Sequence, residues 1–470
     1  MRKAGVLLHI SSLPGEFGCG TLGKNAYRFA DFLASAGFSI WQVLPFNIPH
    51  KDACPYSSVS TFAQNPLFID PEILLSKELI NESELNEIKK DAEECAGDYY
   101  TLAKRREKQL RSAARRFAKT DGAKKAVSYV SENPRICQAC TYLSKDDPTD
   151  ENIFYYTFLQ YEFYCQWKKL QAYLTERGIE VIGDIPIYAD LNSSEVYCNP
   201  ECFLLNEKGE PNFVSGVPGD SFNDAGQKWG HPLYNTEELE RQNYALMFDR
   251  MKFASNFYDV TRIDHFQAIA LFYAIPKDAH PREGHWEKGV GEPFVKRLVN
   301  EIGKDRFVVE DFNSFPGGSY DLAMKYGFPD MNTLQFTLSA NKSADSYHES
   351  TVAYLGTHDN NTFVGYLNAL NEEQLKKVAT SLGSDNTENK TELCKLGISS
   401  LLNSRAERVV FQVQDILYEG KESRMNVPGI SGHGNWMYRL TAEKLSSLEK
   451  SIPEWKERLI KYNRLETKNR

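Results

Sequence analysis

The chain has 470 residues, a net charge of −9 and 41% hydrophobic residues, which is ordinary for a globular protein with a sizeable core. The pI is about 5.7 and no block rich in Lys and Arg stands out, so we expect no nucleic-acid partner. No apolar stretch is long enough to span a bilayer, so we expect no membrane partner either.

Short β-branched runs alternate with amphipathic helical stretches along the chain. In chain order, the predicted elements are strand 5–10, helix 24–36, strand 40–46, helix 153–177 and strands 181–187, 260–266, 306–312, 332–336, 351–356 and 409–413. Strands that are separated by helices pair in parallel, and eight such units close a (β/α)8 barrel. We therefore predict an α/β fold, a single catalytic TIM barrel over residues 1–470 with helical and loop insertions.

Two regions interrupt the alternation. Residues 72–150 have an acidic start (NESELNEIKKDAEE) and a basic middle (AKRREKQLRSAARRFAK), which predict a solvated helical subdomain. Residues 188–235 are rich in Gly, Pro, Asn and Asp and predict a long irregular loop over one end of the barrel. Loops of this length in compact domains are usually functional or disordered, and the aromatic residues favour an ordered one. We interpret this region as a lid that binds substrate.

Cysteine usage argues against a disulfide framework and against a zinc site. The nine cysteines are scattered, and Cys137 and Cys140 form a CxxC pair with no second pair to complete four ligands. The apolar run of the N-terminal MRKAGVLLHISSLPG is interrupted by His9 and two serines, and no small-residue cleavage site follows it. We therefore expect a cytoplasmic protein.

Several predicted strands end in an acidic residue, namely Asp184, Asp264, Glu310 with Asp311, and Asp359. The carboxyl ends of barrel strands surround one cavity, so these carboxylates should converge although they are far apart in sequence. Residues 262 and 264 are two apart and point to the same side of a strand. We expect Arg262 to contact Asp264, lower its pKa and keep it ionised.

The residues alone leave three interpretations of these carboxylates open. One is a divalent-metal site, for which His265 and His358 are available as further ligands. Another is glycoside chemistry, in which an ionised carboxylate attacks the anomeric carbon and a second carboxyl, with a raised pKa, donates a proton. The third is that Arg262 and Asp264 form only a buried ion pair.

Three segments in a fixed order, DVTRIDHF, FVVEDF and GTHDNN, resemble the catalytic stretches of the 4-α-glucanotransferases (amylomaltases, or disproportionating enzymes) of glycoside hydrolase family 77, which are relatives of the α-amylases. GVLLHISSLPGEFGCGTLG and IWQVLPF with CPYSSVSTFAQNPLFID resemble the first segments of that family. VIGDIPIYADLNSSEVYCNPECF, GQKWGHPLYN and RMNVPGISGHGNWMYRL resemble later ones. The resemblance covers about residues 4–440.

The resemblance implies a retaining barrel enzyme without metal or organic cofactor. It would transfer α-1,4-glucan segments between maltodextrins through a covalent glycosyl-aspartate intermediate. Asp264 would be the nucleophile, Glu310 the general acid/base and Asp359 the transition-state stabiliser. Malto-oligosaccharides and dextrins derived from starch or glycogen would be the substrates, with glucose as an acceptor. An α-1,4-glucan hydrolase and a non-catalytic glucan-binding protein are the alternatives.

The resemblance also implies substrate-binding residues, which are Arg262, His358, Tyr56, Trp229, Asn426 and Asn360. Tyr56 would be a stacking platform on the donor side, because aromatic rings cover the apolar faces of sugars. For Tyr56 and Trp229 a role in packing alone stays open. We assign Asp184 either a structural role or a role as a partner that supports the catalytic groups, and we assign His265 a role in supporting the pocket.

The sequence departs from the family pattern at the lid, which reads GVPGDSFND where GVPPDYFS is usual. Gly219 replaces a proline, which loosens the backbone, and Ser221 replaces a tyrosine. Asn192, Asn313 and Asn361 also differ from the common residues, but no predicted catalytic group is lost. A lid can shield an intermediate from water, so we expect the lid changes to affect acceptor preference and the ratio of transfer to hydrolysis.

Overall fold

Eight parallel strands form the central sheet of this computed structural model. The structure describes residues 2–95, 97–219, 223–430, 432 and 434–465. Ser221, one of the two lid departures, lies outside the described residues.

Strands and helices alternate over most of the described chain. The strands are β1 (Lys3–Leu7), β2 (Ile40–Gln42), β3 (Glu180–Pro186), β4 (Phe213–Val217), β5 (Gln227–Pro232), β6 (Val260–Asp264), β7 (Leu271–Pro276), β8 (His285–Lys288), β9 (Phe307–Val309), β10 (Met331–Thr333), β11 (Val352–Tyr354) and β12 (Arg408–Gln412). The α-helices are α1 (Lys24–Ala36), α2 (Pro71–Ser76), α3 (Glu82–Glu94), α4 (Tyr99–Phe117), α5 (Gly122–Ser131), α6 (Pro134–Leu143), α7 (Asp150–Glu176), α8 (Ser194–Cys198), α9 (Thr236–Arg241), α10 (Ala245–Phe257), α11 (Gln267–Ala270), α12 (Gly291–Glu301), α13 (Ser319–Tyr326), α14 (Leu334–Ser339), α15 (Phe363–Ala369), α16 (Glu372–Ser381), α17 (Lys390–Asn403), α18 (Val413–Ile416), α19 (Ala442–Lys450) and α20 (Ile452–Lys461).

The barrel strands follow the order β10-β11-β12-β1-β2-β3-β6-β9, and neighbouring strands are parallel. At the seam between β9 and β10, the Val309 N–H donates to the Pro329 carbonyl over 3.0 Å. Each of these eight strands lies in or next to a predicted one, so the predicted (β/α)8 fold is confirmed. The prediction of a strand over 332–336 was too long, because the chain turns into α14 after Thr333.

Alternation along each strand sends every second side chain into the barrel. One buried apolar layer draws on all eight strands and consists of Leu7, Ile40, Ile182, Val260, Val308, Met331, Val352, Tyr354 and Val410. Two residues beyond Ile182, Val260 and Val308 come Asp184, Arg262 and Glu310. These polar side chains therefore lie directly above this apolar layer, at the carboxyl end of the barrel.

Helices α2 to α6 occupy most of residues 72–150, and α4 and α5 pack against the long helix α7. A capping box starts α3, since the Asn81 side chain accepts from the Glu84 N–H and the Glu84 carboxylate accepts from the Asn81 N–H. The buried Arg106 of α4 donates to the Phe17 carbonyl. The helical insertion is therefore tied to the loop that follows β1.

The lid region 188–235 is more regular than the irregular loop that we predicted. It contains β4 and β5, which join β7 and β8 in an antiparallel sheet of order β5-β4-β7-β8. The difference arises because β4 pairs with β7, a partner from outside the region that local composition does not reveal. A Cβ at Gly219 would lie 2.8 Å from the Asp224 carbonyl oxygen, so glycine permits a close approach of the backbone here.

All nine cysteines are free thiols, with Cys137 exposed and Cys140 buried. Among the described residues, no helix has both the length and the apolar character that a membrane span requires.

Candidate functional site

A cavity of about 390 Å³ opens at the carboxyl ends of the barrel strands. Its lining includes six of the nine residues with an implied catalytic or substrate-binding role, which are Tyr56, Trp229, Asp264, Glu310, Asp359 and Asn426. Asp264 ends β6, Glu310 directly follows β9, and Asp359 lies in the loop after β11. The barrel therefore brings together carboxylates that are up to 95 positions apart in the chain.

Arg262 is the centre of the charged cluster. Its Nη1 donates to Asp184 over 2.7 and 2.9 Å and to Oδ1 of Asp264 over 2.9 Å. Its Nη2 lies 2.9 Å from Oε1 of Glu310. The side chains of Arg262 and Asp184 are fully buried, while that of Asp264 is 24% exposed. One guanidinium therefore serves three carboxylates, and the cluster has an excess of negative charge.

Arg262 contacts Asp264 and acts to lower its pKa, as expected, but the expectation that the pKa of Asp264 stays low as a result was wrong. Burial and the neighbouring Glu310 carboxylate raise the pKa of Asp264 well above the ordinary value, and Arg262 offsets this only in part. Burial likewise raises the pKa of Asp184 to about 7. The physical reason is that burial disfavours the ionised carboxylates and that Arg262 is shared among three of them, so a proton in the cluster relieves the repulsion that the guanidinium leaves uncompensated.

Replacing Arg262 with Leu should destabilise the protein by about 3–5 kcal/mol at neutral pH, because buried carboxylates lose their counter-charge. The loss should be smaller at about pH 5 than at about pH 8, since the folded variant keeps protons that the unfolded chain releases. Urea unfolding at both pH values measures it. Arg250→Leu is a matched control, because Arg250 is equally buried but donates mainly to backbone carbonyls and to Tyr234 and has one buried carboxylate, Glu195, at 4.0 Å instead of three in close contact, so its loss should depend less on pH.

One wall of the cavity is built around Tyr56. Its hydroxyl donates to Oδ2 of Asp184 over 2.8 Å. Its ring stacks on His358 with an interplanar angle of 7° and a centroid distance of 5.3 Å, and Trp436 packs beside it. These contacts hold the ring in one orientation beside the carboxylates. They are compatible with both interpretations of Tyr56, a sugar platform and a packing residue.

Asp359 is oriented by three neighbours. The Asn426 amide donates to its Oδ1 over 2.6 Å, and Arg424 donates to its backbone carbonyl. Nε2 of His358 lies 3.3 Å from its Oδ2. Burial lowers the pKa of His358 to about 3, so this imidazole is uncharged and contributes through its stacking on Tyr56.

Another part of the cavity wall is formed by Trp229 on β5. Its indole N–H donates to Oε1 of Gln227 over 3.1 Å. Its ring and that of His265 pack edge to face, with their centroids 4.7 Å apart. The backbone N–H of His265 donates to Oε2 of Glu310 over 2.9 Å. This wall is therefore in contact with Glu310 through His265.

Three residues with an implied substrate-binding role, Arg262, His358 and Asn360, are not part of the cavity lining. Asn360 is buried, and its side-chain oxygen accepts from the Thr357 N–H over 2.8 Å. This bond shapes the loop that presents Asp359.

Sequence reasoning gave Asp184 and His265 supporting roles but not the groups that they contact. A signal for Asp184 was present, because it is a strand-end acid and β3 lies beside β6 with Asp184 in register with Arg262. For His265 no signal in the sequence pointed to its contacts.

Among the described residues, no group of three or more His, Cys, Asp or Glu side chains has the arrangement of a metal site. His265 contributes its backbone N–H and its ring edge to the wall of the cavity, and His358 contributes its stacked ring. Both histidines are therefore engaged in packing and orientation around the carboxylates.

Comparisons with known proteins agree with the geometry. Residues 8–144 and 138–445 match the family model described as 4-alpha-glucanotransferase. The 4-alpha-glucanotransferase of Aquifex aeolicus is 34% identical over 94% of this chain and 96% of its own length, and that of Clostridium butyricum is 33% identical over 92% and 95%. The structure of an amylomaltase from Streptococcus agalactiae in complex with acarbose superposes with a TM-score of 0.91, at 29% identity, over 99% of this chain and 100% of that one.

Proposed function

Since the chain belongs to the 4-alpha-glucanotransferase family, we propose that it transfers α-1,4-glucan segments from one maltodextrin to the 4-hydroxyl of another sugar. The observation that carries the proposal is the convergence of Asp264, Glu310 and Asp359 on one cavity, with Arg262 between the first two. Malto-oligosaccharides and dextrins from starch or glycogen are the substrates in this proposal, and glucose is an acceptor. The similar amylomaltase that binds acarbose supports a glucan-like ligand.

In the first step, Asp264 attacks the anomeric carbon and the glycosidic bond breaks. Glu310 protonates the leaving oxygen, so the departing sugar leaves as a neutral alcohol and the glycosyl unit stays bound to Asp264. In the second step, Glu310 removes the proton of an acceptor hydroxyl, which attacks the anomeric carbon and frees Asp264. Two displacements at one carbon retain its configuration.

Asp359 acts on the sugar that occupies the centre of the cavity. Its carboxylate is held by Asn426 and accepts hydrogen bonds from ring hydroxyls, which favours a ring distorted towards the transition state. Tyr56 covers the donor side of this sugar, because His358 fixes its ring and its hydroxyl donates to Asp184 in the charged cluster.

Transfer exceeds hydrolysis only if an acceptor sugar reaches the intermediate before water does. The antiparallel sheet that carries Trp229 forms part of the cavity wall. In this proposal it supplies an aromatic surface for the acceptor. The effects of Gly219 and Ser221 on acceptor preference and on the ratio of transfer to hydrolysis stay a prediction.

The product distribution from pure maltotriose tests the proposed function. A transferase makes longer oligomers and glucose without a net gain of reducing ends. A hydrolase makes only shorter products, with one new reducing end for each bond cut, and a binding protein makes no product. Chromatography with a reducing-end assay separates these outcomes, and accumulation of shorter products alone would show that the chain is a hydrolase.

The fall of kcat/KM at acidic pH should reflect the protonation of the carboxylate cluster. Activity should fall with decreasing pH through an apparent pKa above the ordinary carboxyl value of about 4, because the nucleophile must be ionised and the pKa of Asp264 is raised. The Asp184 carboxylate is one cause of that increase, so Asp184→Asn should move this limb to lower pH. Rates at low maltotriose concentration measure the shift, and an unchanged limb in the variant would contradict the shared-charge explanation.

A further inference from the structure

Tyr56 is carried by a hairpin between β2 and α2, residues 47–64, whose arms are bridged at Pro49 and Ser58. The tip residues that line the cavity are Asp52, Cys54, Tyr56 and Ser57. Between them Ala53 has a φ of +62°, a left-handed conformation that costs free energy for a residue with a Cβ. Such a backbone persists only where surrounding contacts enforce it, so the tip needs to be held from outside.

Asp190 holds the tip from the loop that follows β3. Its Oδ2 accepts from the Ser57 hydroxyl over 2.7 Å, and its Oδ1 lies 3.2 Å from Nε2 of His50 on the other arm. The Asn192 N–H donates to the same Oδ1 over 2.8 Å, which orients the carboxylate. One carboxylate therefore contacts both arms of the hairpin tip, directly beside Tyr56.

Asp190 is not part of the cavity lining. Its remaining neighbour is His231 on β5, whose Nδ1 lies 3.7 Å from Oδ2 of Asp190. The carboxylate thus lies behind the cavity wall, where the hairpin meets the antiparallel sheet. Its effect on a bound sugar therefore passes through the hairpin that it holds.

The charge of His50 determines how strongly the tip is held. The contact with Asp190 raises the pKa of His50 above its ordinary value, burial opposes this increase, and the Asp52 carboxylate adds to it. Burial alone would raise the pKa of Asp190, but the contact with His50 and two further hydrogen bonds hold it below its ordinary value. Burial lowers the pKa of His231, so this imidazole is uncharged. The contact between His50 and Asp190 is therefore an ion pair that is lost as the pH rises through the pKa of His50.

We propose that Asp190 is a positioning residue for formation of the glycosyl-enzyme, which holds the Tyr56 hairpin against the sugar through Ser57 and protonated His50. The proposal rests on the glucan chemistry proposed above, because the position of Tyr56 matters only if its ring covers a sugar. It predicts a pH dependence separate from that of the carboxylate cluster. As the pH rises and His50 loses its charge, the hairpin is held less firmly and the first step slows.

The test measures kcat/KM for fluoride release from α-maltosyl fluoride at about pH 6 and about pH 9, on either side of the titration of His50. This donor needs no proton from Glu310, so loss of the general acid at high pH does not obscure the result. His50→Gln keeps a polar side chain without the charge. We expect it to lower kcat/KM by about threefold to tenfold at the lower pH and by less than about twofold at the higher pH.

A mutant cycle tests whether His50 acts through Asp190. Asp190→Asn keeps an acceptor for the Ser57 hydroxyl but removes the ion pair. In this background His50→Gln should have little further effect at either pH, because the charge interaction is already lost. A role in folding alone would not make the effect of His50→Gln depend on pH in this way.

His348→Gln is the matched control. Nε2 of His348 also lies 3.2 Å from an aspartate, Oδ2 of Asp330. Asp330 directly precedes β10, so this pair lies at the amino end of the barrel, away from the cavity. Its substitution should leave kcat/KM unchanged at both pH values.

The outcomes separate this proposal from the proposed function. If the unmodified protein makes no product from maltotriose and releases no fluoride, the proposed function fails. If it is active but His50→Gln lowers kcat/KM equally at both pH values or not at all, or if the two mutations multiply independently, the positioning role is wrong. Failure of both variants to fold would show that the pair holds the fold, which would also overturn the proposal.

Discussion

Replacing Asp264 with Asn should lower kcat/KM for maltotriose by about 10⁴-fold or more, because an amide oxygen is too weak a nucleophile to form the glycosyl-enzyme. The geometry leaves no substitute, since Asp184 is fully buried behind Arg262 and Glu310 is needed as the acid. Initial rates of glucose release and of oligomer formation measure the loss. Activity above about a tenth of the original would contradict the assignment of Asp264 as nucleophile.

The same variant should be at least as stable as the unmodified protein. Asn removes one of the three negative charges that share Arg262, and burial disfavours the ionised form that it removes. Thermal unfolding at neutral pH measures this gain. Asp415→Asn is a matched control outside the cavity, because burial raises the pKa of Asp415 too, to about 7. Its Oδ1 accepts from the Phe363 N–H. The control should keep its activity.

Replacing Glu310 with Gln should lower transfer from maltotriose by about 10²- to 10⁴-fold, because the leaving oxygen then departs without a proton. Fluoride is a good leaving group that needs no proton, so fluoride release from α-maltosyl fluoride should fall much less. The Gln side-chain oxygen can still accept from the His265 N–H, which preserves that contact. The difference between the two donors, measured by their kcat/KM values, is therefore the expected signature of a general acid.

Glu180→Gln is the matched control for this experiment. Glu180 lies at the start of β3, at the amino end of the barrel, and pairs with Lys3 and Arg408. Its substitution should lower stability without changing the ratio of the two donors. If Glu310→Gln lost activity equally on both donors, Glu310 would have another role, such as holding Arg262.

The barrel was predictable because alternation of strands and helices along the chain is a local property. Residues 181–187 and 260–266 read as strands from their β-branched residues, and they overlap the barrel strands β3 and β6. The antiparallel sheet of the lid was not predictable in this way. β4 pairs with β7, which lies more than 50 residues later, and no local pattern in the Gly- and Pro-rich lid indicates that partner.

The sequence by itself determined which side chains the barrel strands direct inward. With a period of two along each strand, Arg262 and Asp264 share a face, and Glu310 follows Val308 on the inner face of its own strand. The order of the strand-end acids and the (β/α)8 architecture then place them around one opening. These properties depend on spacing along the chain, which a sequence contains.

Only the tertiary structure decided the pKa values of those carboxyl groups and the backbone conformation beside them. Arg262 contacts Asp184 and Glu310 as well as Asp264, so the pKa of Asp264 rises where a single pair would lower it. His265 reaches both Glu310 and Trp229 because its backbone is left-handed. The reason is that desolvation, shared counter-charges and enforced backbone conformations are set by neighbours from distant parts of the chain, which spacing along one strand does not encode.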